Sequence, residues 1–143
     1  MLLGHFEHTI DDKNRLTLPA KFRDAFTGGV YVTPGLDGCL AAYSRAEFDR
    51  LVARVRSLDP LSHEARLMNR YFFAQASEDA PDKQGRITLP AALLTSAKLE
   101  REVVVAGVYD HVEIWDRATW RAQLEEVEGS AEHVAERLAA NRD

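Results

Sequence analysis

The chain is poor in cysteine: Cys39 is the only one among 143 residues. A single thiol excludes an internal disulfide and a cysteine-rich zinc site. Long hydrophobic runs are also missing. No stretch of about 18 apolar residues occurs, so no transmembrane helix and no membrane partner are expected. The opening residues, MLLGHFEHTIDD, carry neither a basic n-region nor a long apolar h-region, so no signal peptide is expected. With the lone thiol, this makes the cytoplasm the default compartment. The chain has no glycine-rich phosphate loop and no G-x-S-x-G elbow. No nucleophile, base and oxyanion site come together in one pattern, so an enzyme is not expected and no cofactor is implied. Positive charge is in deficit: Lys and Arg number 18 against 23 Asp and Glu, a net charge of −5. That total argues against a general nucleic-acid coating protein. It leaves open a local basic face, because the charges are uneven: residues 44–70 carry six Arg against four acids, and residues 117–143 four Arg against six acids.

What is present is ordinary globular composition, 45% hydrophobic and 29% charged, enough for one or two small domains. The informative feature is self-similarity. Asp11-Asp12-Lys13-Asn14-Arg15-Leu16-Thr17-Leu18-Pro19-Ala20 returns 71 residues later as Asp82-Lys83-Gln84-Gly85-Arg86-Ile87-Thr88-Leu89-Pro90-Ala91. Further on, at an offset of 72, Gly35, Tyr43, Arg45 and Phe48 fall opposite Gly107, Trp115, Arg117 and Trp120. We read an internal duplication spanning 5–48 and 76–119, with a helical connection over 49–75 and C-terminal helices over 120–143.

Each half repeats one grammar. An extended lead-in (His5 to Ile10; Ala76 to Ala80) precedes a polar turn and an alternating Arg-Leu-Thr-Leu or Arg-Ile-Thr-Leu strand. Pro19 and Pro90 suit the first turn of a short helix, Ala20 to Phe26 and Ala91 to Leu99. A hairpin follows, Gly29 to Thr33 with Cys39 to Tyr43, and Val103 to Ala106 with Val112 to Trp115. Its turns hold Pro34 to Gly38 and Gly107 to His111. Ser44 with Glu47 is a capping-box pattern opening a helix that carries Phe48, Leu51, Val52, Val55 and Leu58 on one face. Asp116 is the matching cap in the second half, ahead of Trp120, Leu124 and Val127. Pro60 ends the first long helix. Ser62 is read as the cap of another, and Ser130 as the cap of the last, with Val134 and Leu138. The class is α+β. A half of about 45 residues is too small to stand alone comfortably, so the halves should share one core. The helix faces left over need covering, for instance by homo-oligomer packing.

The repeated polar turn carries the chemistry. An Asp side chain in a turn bonds downstream N–H groups and sets the loop, which makes Asp11 and Asp82 loop-shaping residues. Asn14 and Gly85 stand where left-handed backbone is tolerated. Arg15 and Arg86 follow at a loop–strand junction, with Lys13 and Lys83 nearby. A planar guanidinium suits phosphate and guanine edges. On pattern alone, an Asp–Arg pair that only staples the turn explains the spacing equally well. His5 and His8 lie three apart in an extended segment and so point to opposite faces, which makes no metal site. Cys39, in an apolar strand, reads as a buried inert thiol. The aromatics Phe48, Tyr71, Phe72, Phe73, Trp115 and Trp120 read as packing. Glutamates 125, 126, 128, 132 and 136 read as a solvated helix face.

Gly4, His8 and the run IDDKNRLTLPAKFR from Ile10, with DKQGRITLPA from Asp82, resemble the MraZ family over almost the whole chain. The resemblance implies an AbrB-like, swapped-hairpin fold: two tandem repeats sharing one small β-barrel core, with peripheral helices. It implies a sequence-specific DNA-binding transcriptional regulator of the division and cell-wall gene cluster, including its own promoter. The partner implied is double-stranded DNA carrying short direct repeats. The assembly implied is a ring-shaped homo-oligomer, in the cytoplasm and associated with the nucleoid. The family's D-x-x-x-R elements contact DNA, and they fall here on Asp11 to Arg15 and Asp82 to Arg86. The first usually has Gly where this chain has Asn14. The alternative from a different class is a protein-interaction, antitoxin-like module. Tails of that kind tend to be disordered until bound, whereas 117–143 reads as capped helix.

Overall fold

The computed structural model describes residues 1–141; residues 142 and 143, the end of the expected C-terminal helical segment, lie outside the described residues. The chain runs β1 (Leu2–Thr9), β2 (Arg15–Thr17), a 3-10 helix (Ala20–Phe26), β3 (Val30–Pro34), β4 (Leu40–Tyr43), α1 (Arg45–Arg56) and α2 (His63–Asn69). A wide π-type turn over Arg70–Ala74 leads to β5 (Ser77–Asp79), β6 (Arg86–Thr88), α3 (Ala91–Ser96), β7 (Glu102–Tyr109), β8 (Val112–Asp116) and α4 (Arg117–Ala140). The mixed α+β class stands. Six strands form one antiparallel sheet in the order β1-β7-β8-β4-β3-β5, and β2 pairs with β6 in a separate two-stranded sheet.

The two halves are interleaved. β1 pairs with β7, β2 with β6, β3 with β5 and β4 with β8, so four of the ladders join the first repeat to the second. Among the described residues the β3–β4 and β7–β8 hairpins stay within a repeat, as does an isolated bridge between Ile10 and Leu16. The core is shared accordingly. Leu16, Leu18, Phe22, Phe26, Val30 and Leu40 from one half pack with Ile87, Leu89, Leu93, Val103, Val105 and Ile114 from the other. Fully burying side chains of this size is worth about 1.5–3 kcal/mol each, and no half could bury them alone.

Several boundaries differ from the sequence expectation, each for a local reason. Pro19 and Pro90 stand one residue before the helices, with extended ψ of 136° and 145°, rather than inside the first turn. Neither proline brings a side-chain cap, and the helix after Pro19 winds as 3-10 while that after Pro90 is an α-helix. α3 stops at Ser96 because Lys98 turns left-handed (φ 54°) and Leu99 N–H bonds back to Leu94 O at 2.8 Å, closing the helix end in a Schellman-type bond. β7 runs on through Gly107 to Tyr109, so the residues expected as a turn are mostly strand. A Cβ at Gly107 would stand 2.6 Å from the Leu2 carbonyl carbon, so only glycine lets β1 approach so closely there.

Caps do fall where the residues predict. Ser44 accepts from Glu47 N–H at 3.3 Å, Ser62 from Ala65 N–H at 3.1 Å, and Asp116 from Thr119 N–H at 3.0 Å. Ser130 does not cap a separate helix. α4 passes through it unbroken, and the Ser130 hydroxyl donates to Glu126 O one turn back, at 2.7 Å. The C-terminal helices expected over 120–143 are one helix as far as the structure describes them. From Glu125 to Ala140 every residue of α4 except Ser130 is exposed.

Candidate nucleic-acid interface

The two polar turns lead into β2 and β6, the strands of the small sheet. Their register sets Arg15 against Thr88, Leu16 against Ile87 and Thr17 against Arg86. Strand alternation sorts the faces. Leu16 and Ile87 are buried in the core, 0% and 1% exposed. Arg15, Thr17, Arg86 and Thr88 therefore share the opposite face, with the arginines as diagonal neighbours.

Each turn is built by its aspartate in the same way. Asp11 Oδ1 accepts from the Lys13 and Arg15 N–H groups at 2.9 and 2.8 Å, and Oδ2 accepts from Arg15 Nε at 2.8 Å. Asp82 Oδ1 accepts from the Gln84 and Arg86 N–H groups, both at 2.9 Å, and Oδ2 from Arg86 Nε at 2.7 Å. The backbone N–H of the arginine, then its side chain, holds each carboxyl below the usual aspartate range. Asn14 and Gly85 take up positive φ, 58° and 77°. After Gly, Asn is the residue that most readily enters that region, and the Asn14 loop keeps the shape of its partner. The loops also lock each other: Leu18 N–H donates to Gly85 O at 2.9 Å and Leu89 N–H to Asn14 O at 2.8 Å.

The staple reading and the presented-cation reading are therefore compatible. Nε of each arginine is taken by its aspartate, with both side chains 29% exposed. The terminal Nη groups of Arg15 and Arg86 make no hydrogen bond among the described residues, and these are the donors that could reach a ligand. Lys13 and Lys83 are both exposed on the turns. They are not equivalent, however. At the 71-residue offset Asp12 corresponds to Lys83 and Lys13 to Gln84.

Sequence reasoning missed Arg23. It lies on the 3-10 helix of the first repeat but reaches the loop of the second. Its Nε donates to Leu18 O at 3.0 Å, and an added Cβ on Gly85 would lie 2.4 Å from that same Nε. The residue that corresponds to it in the second repeat is Leu94, which packs against the core. Comparing the repeats beyond their matching residues, for what differs, is the signal that would have found it.

The remaining candidates sit elsewhere. Cys39 is 2% exposed, and burial, with Glu113 nearby, pushes its thiol up to about 12. His5 packs on Trp120 with ring centroids 5.3 Å apart. Burial and the Arg23 charge lower the pKa of His8. Among the described residues no group of three or more His, Cys, Asp or Glu is placed to hold a metal ion. No described helix is long and apolar enough to cross a membrane. In the Arg-rich stretch, Arg45 and Arg50 pair with Asp49 and Glu47, and Arg66 bonds the carbonyls of Pro60 and Leu61. Arg54, Arg56 and Arg70 make no ion pair among the described residues, so that stretch is partly neutralised and keeps a positive excess.

Fold and loops together define a duplicated α+β protein that presents two aspartate-clamped arginines on one small sheet. A family model described as "MraZ protein, putative antitoxin-like" matches residues 1–71 and again residues 72–142. The chain belongs to the MraZ family. Similar curated relatives carry the name "Transcriptional regulator MraZ". The one from Frankia alni is 46% identical over 138 residues, 96% of this chain and 96% of the relative. The one from Salinispora arenicola is 44% identical over 137 residues (95% and 96%), and that from Thermomicrobium roseum 45% over 139 residues (97% and 98%).

Proposed function

We propose that the chain is a transcriptional regulator that binds double-stranded DNA through the paired loops. The observation that carries this reading is the matched pair of clamps. Two guanidiniums are fixed through Nε, each with two Nη groups unbonded among the described residues, on one face of the β2–β6 sheet. A rigid, pre-oriented guanidinium loses little entropy on binding and suits phosphate oxygens or the O6/N7 edge of guanine. Arg15 and Arg86 read base edges or phosphates; Lys13 and Lys83 contact phosphates; Asp11, Asn14, Asp82 and Gly85 hold the loops in shape. The role is non-catalytic, as the relatives' names also suggest. The site is short direct repeats upstream of the division and cell-wall gene cluster, including the chain's own promoter. The protein works in the cytoplasm, on the nucleoid. Residues 5–48 and 76–119 act as the two reading repeats, joined by the helical segment 49–75.

A net charge of −5 makes one copy a weak binder. A ring-shaped homo-oligomer resolves this, because linked copies on tandem repeats gain about 10²- to 10⁴-fold in avidity. Support comes from α4, where Trp120, Leu124, Val127, Ala131, Val134 and Leu138 recur at alternating spacings of four and three. Trp120 lies against His5 and Trp115 of the chain's own body, and beyond it the spacing fits the seam of a helix that packs on another helix. Val127 and Leu138 are 50% and 64% exposed in the single chain, so that seam awaits a partner.

The test is fluorescence anisotropy on a duplex from upstream of the protein's own gene, across a salt series. Wild type is expected to bind, with log K falling by about 0.9 per log unit of salt for each phosphate contact. Arg15→Ala/Arg86→Ala is expected to lose that binding while keeping its fold. Equal binding by the double variant sinks the loops as the reading head. A second reading, an antitoxin-like interaction module, is favoured by the family's description and by the exposed seam of α4. No binding to the duplex by wild type at low salt would turn the assignment to it.

A further inference from the structure

The two loops match in shape but not in charge. The first turn reads Asp11, Asp12, Lys13, Arg15, and its formal charges cancel. The second reads Asp82, Lys83, Gln84, Arg86, and keeps one positive charge. Arg23 adds a further charge beside the second loop. Its guanidinium lies against Gly85, close enough that Nε, Cδ and Cζ all come within 2.9 Å of where a Cβ would stand. Nε is anchored on Leu18 O, the residue whose own N–H holds the Gly85 carbonyl. Arg23 is thus tethered as Arg15 and Arg86 are, through Nε, and its Nη groups make no hydrogen bond among the described residues. It is half-buried, so its stem is fixed while the head stays accessible. Leu94, at the equivalent place, brings no charge to the first loop.

We propose that Arg23 is a phosphate-contacting residue belonging to the second loop, and that it makes the pseudo-two-fold loop pair grip DNA in one orientation only. A symmetric pair of reading heads meets a palindrome equally well either way round, as two-fold dimers do. Here the second loop offers two more positive charges than the first, so one flank of the site is held more strongly. Phosphate contacts position a protein on the duplex, and an extra one on a single side fixes its polarity. The glycine at position 85 follows from the same arrangement. Asn serves at position 14, but a side chain at position 85 would displace the Arg23 guanidinium. The proposal rests on the DNA-binding reading above.

The experiment uses the full chain and the duplex from upstream of its own gene. Anisotropy across a salt series is run on wild type, Arg23→Gln, Arg23→Lys and Gly85→Asn, with a thermal melt of each and hydroxyl-radical footprints of wild type and Arg23→Gln. Arg23→Gln is expected to reduce the salt slope by about 0.9, to melt as wild type does, and to lessen the asymmetry of the footprint, since Lys83 still leaves the second loop one charge ahead. Arg23→Lys is expected to keep most of the slope, because the charge remains. Gly85→Asn, which evicts the guanidinium, is expected to repeat the loss seen with Arg23→Gln. An unchanged slope in Arg23→Gln overturns the proposal, whether affinity is unchanged or falls; a fall alone would make Arg23 a brace for the loop. A wild-type footprint already even on both flanks overturns the orientation claim. Failure of wild type to bind the duplex at low salt is the separate result that removes the underlying reading.

Discussion

Leu16 and Ile87 face each other across β2 and β6, directly beneath the arginines, and they come from different repeats. Leu16 is 0% exposed and its neighbours in the core are equally enclosed. Truncation to alanine therefore leaves a cavity that the site cannot close, and Leu16→Ala should cost about 3 kcal/mol. For a chain of this size that is a fall in melting temperature of roughly 6–12 °C. Ile87→Ala should cost a similar amount. The double variant should lose less than the sum, because the two side chains touch one cavity and couple by about 0.5 kcal/mol or more. The assay is urea denaturation followed by far-UV circular dichroism, at one protein concentration so that any self-association shifts every variant alike. Since four ladders cross between repeats, one cooperative transition is expected in every case. Two things would refute the reasoning. One is a loss below about 1 kcal/mol for Leu16→Ala. The other is a pair of resolved transitions of which only one moves, which would mean that the repeats fold as separate units.

Three further outcomes are expected. Burial pushes the His111 pKa down, but the Glu113 and Asp110 carboxylates outweigh it and the net shift is upward from 6.5; Asp110 Oδ1 is 2.6 Å from His111 Nδ1. The stability it contributes is complete below pH 6.5 and is lost as pH rises through the raised folded-state value, so wild type should weaken relative to His111→Gln from pH 6.5 upward, and parallel denaturation midpoints would contradict this. Cys39, with its thiol pushed up to about 12, should resist iodoacetamide at pH 8 until the protein is unfolded, and rapid stoichiometric labelling of the native chain would contradict its burial. Gly129 lies inside α4 with nothing within 4 Å of an added Cβ. Gly129→Ala should therefore stabilise the helix locally by about 0.5–1 kcal/mol, read as slower hydrogen exchange at residues 126–133; unchanged exchange would argue that this stretch is not helical in solution.

The duplication, the polar turns and the clamped arginines were legible because each rests on short-range pattern. Asp11 and Arg15 are four residues apart, and the turn that joins them needs nothing distant. The helix caps at Ser44, Ser62 and Asp116 were legible for the same reason. Strand pairing was not. Alternation marks β2 and β6 as strands, but it does not say that Leu16, bridged to Ile10 in its own repeat, also meets Ile87 of the other. Helix ends set by backbone geometry were also hidden, since nothing about Lys98 announces a left-handed residue. Ser130 misled in the opposite sense. A serine after a glycine looks like a start signal, yet its hydroxyl bonds the preceding turn and the helix runs on. Arg23 escaped because the duplication drew attention to what the halves share, and its importance lies in a difference.

The crossing ladders have a consequence for how the chain is made. Leu2 pairs with Tyr109, so β1 leaves the ribosome long before its partner β7 does. At about 5–20 residues per second, roughly 5–20 s pass before β1 has anything to pair with. Through that interval Leu2 and Ile10, almost wholly buried at the end, stand open to solvent. β2 waits in the same way for β6, while β3 and β4 can form their own hairpin but lack β5 and β8 on its outer edges. Folding must therefore be largely a late event, gathered into the moments after the second repeat emerges. A nascent first half is a chain of unpaired strand edges and bare apolar side chains, the kind of surface that chaperones hold.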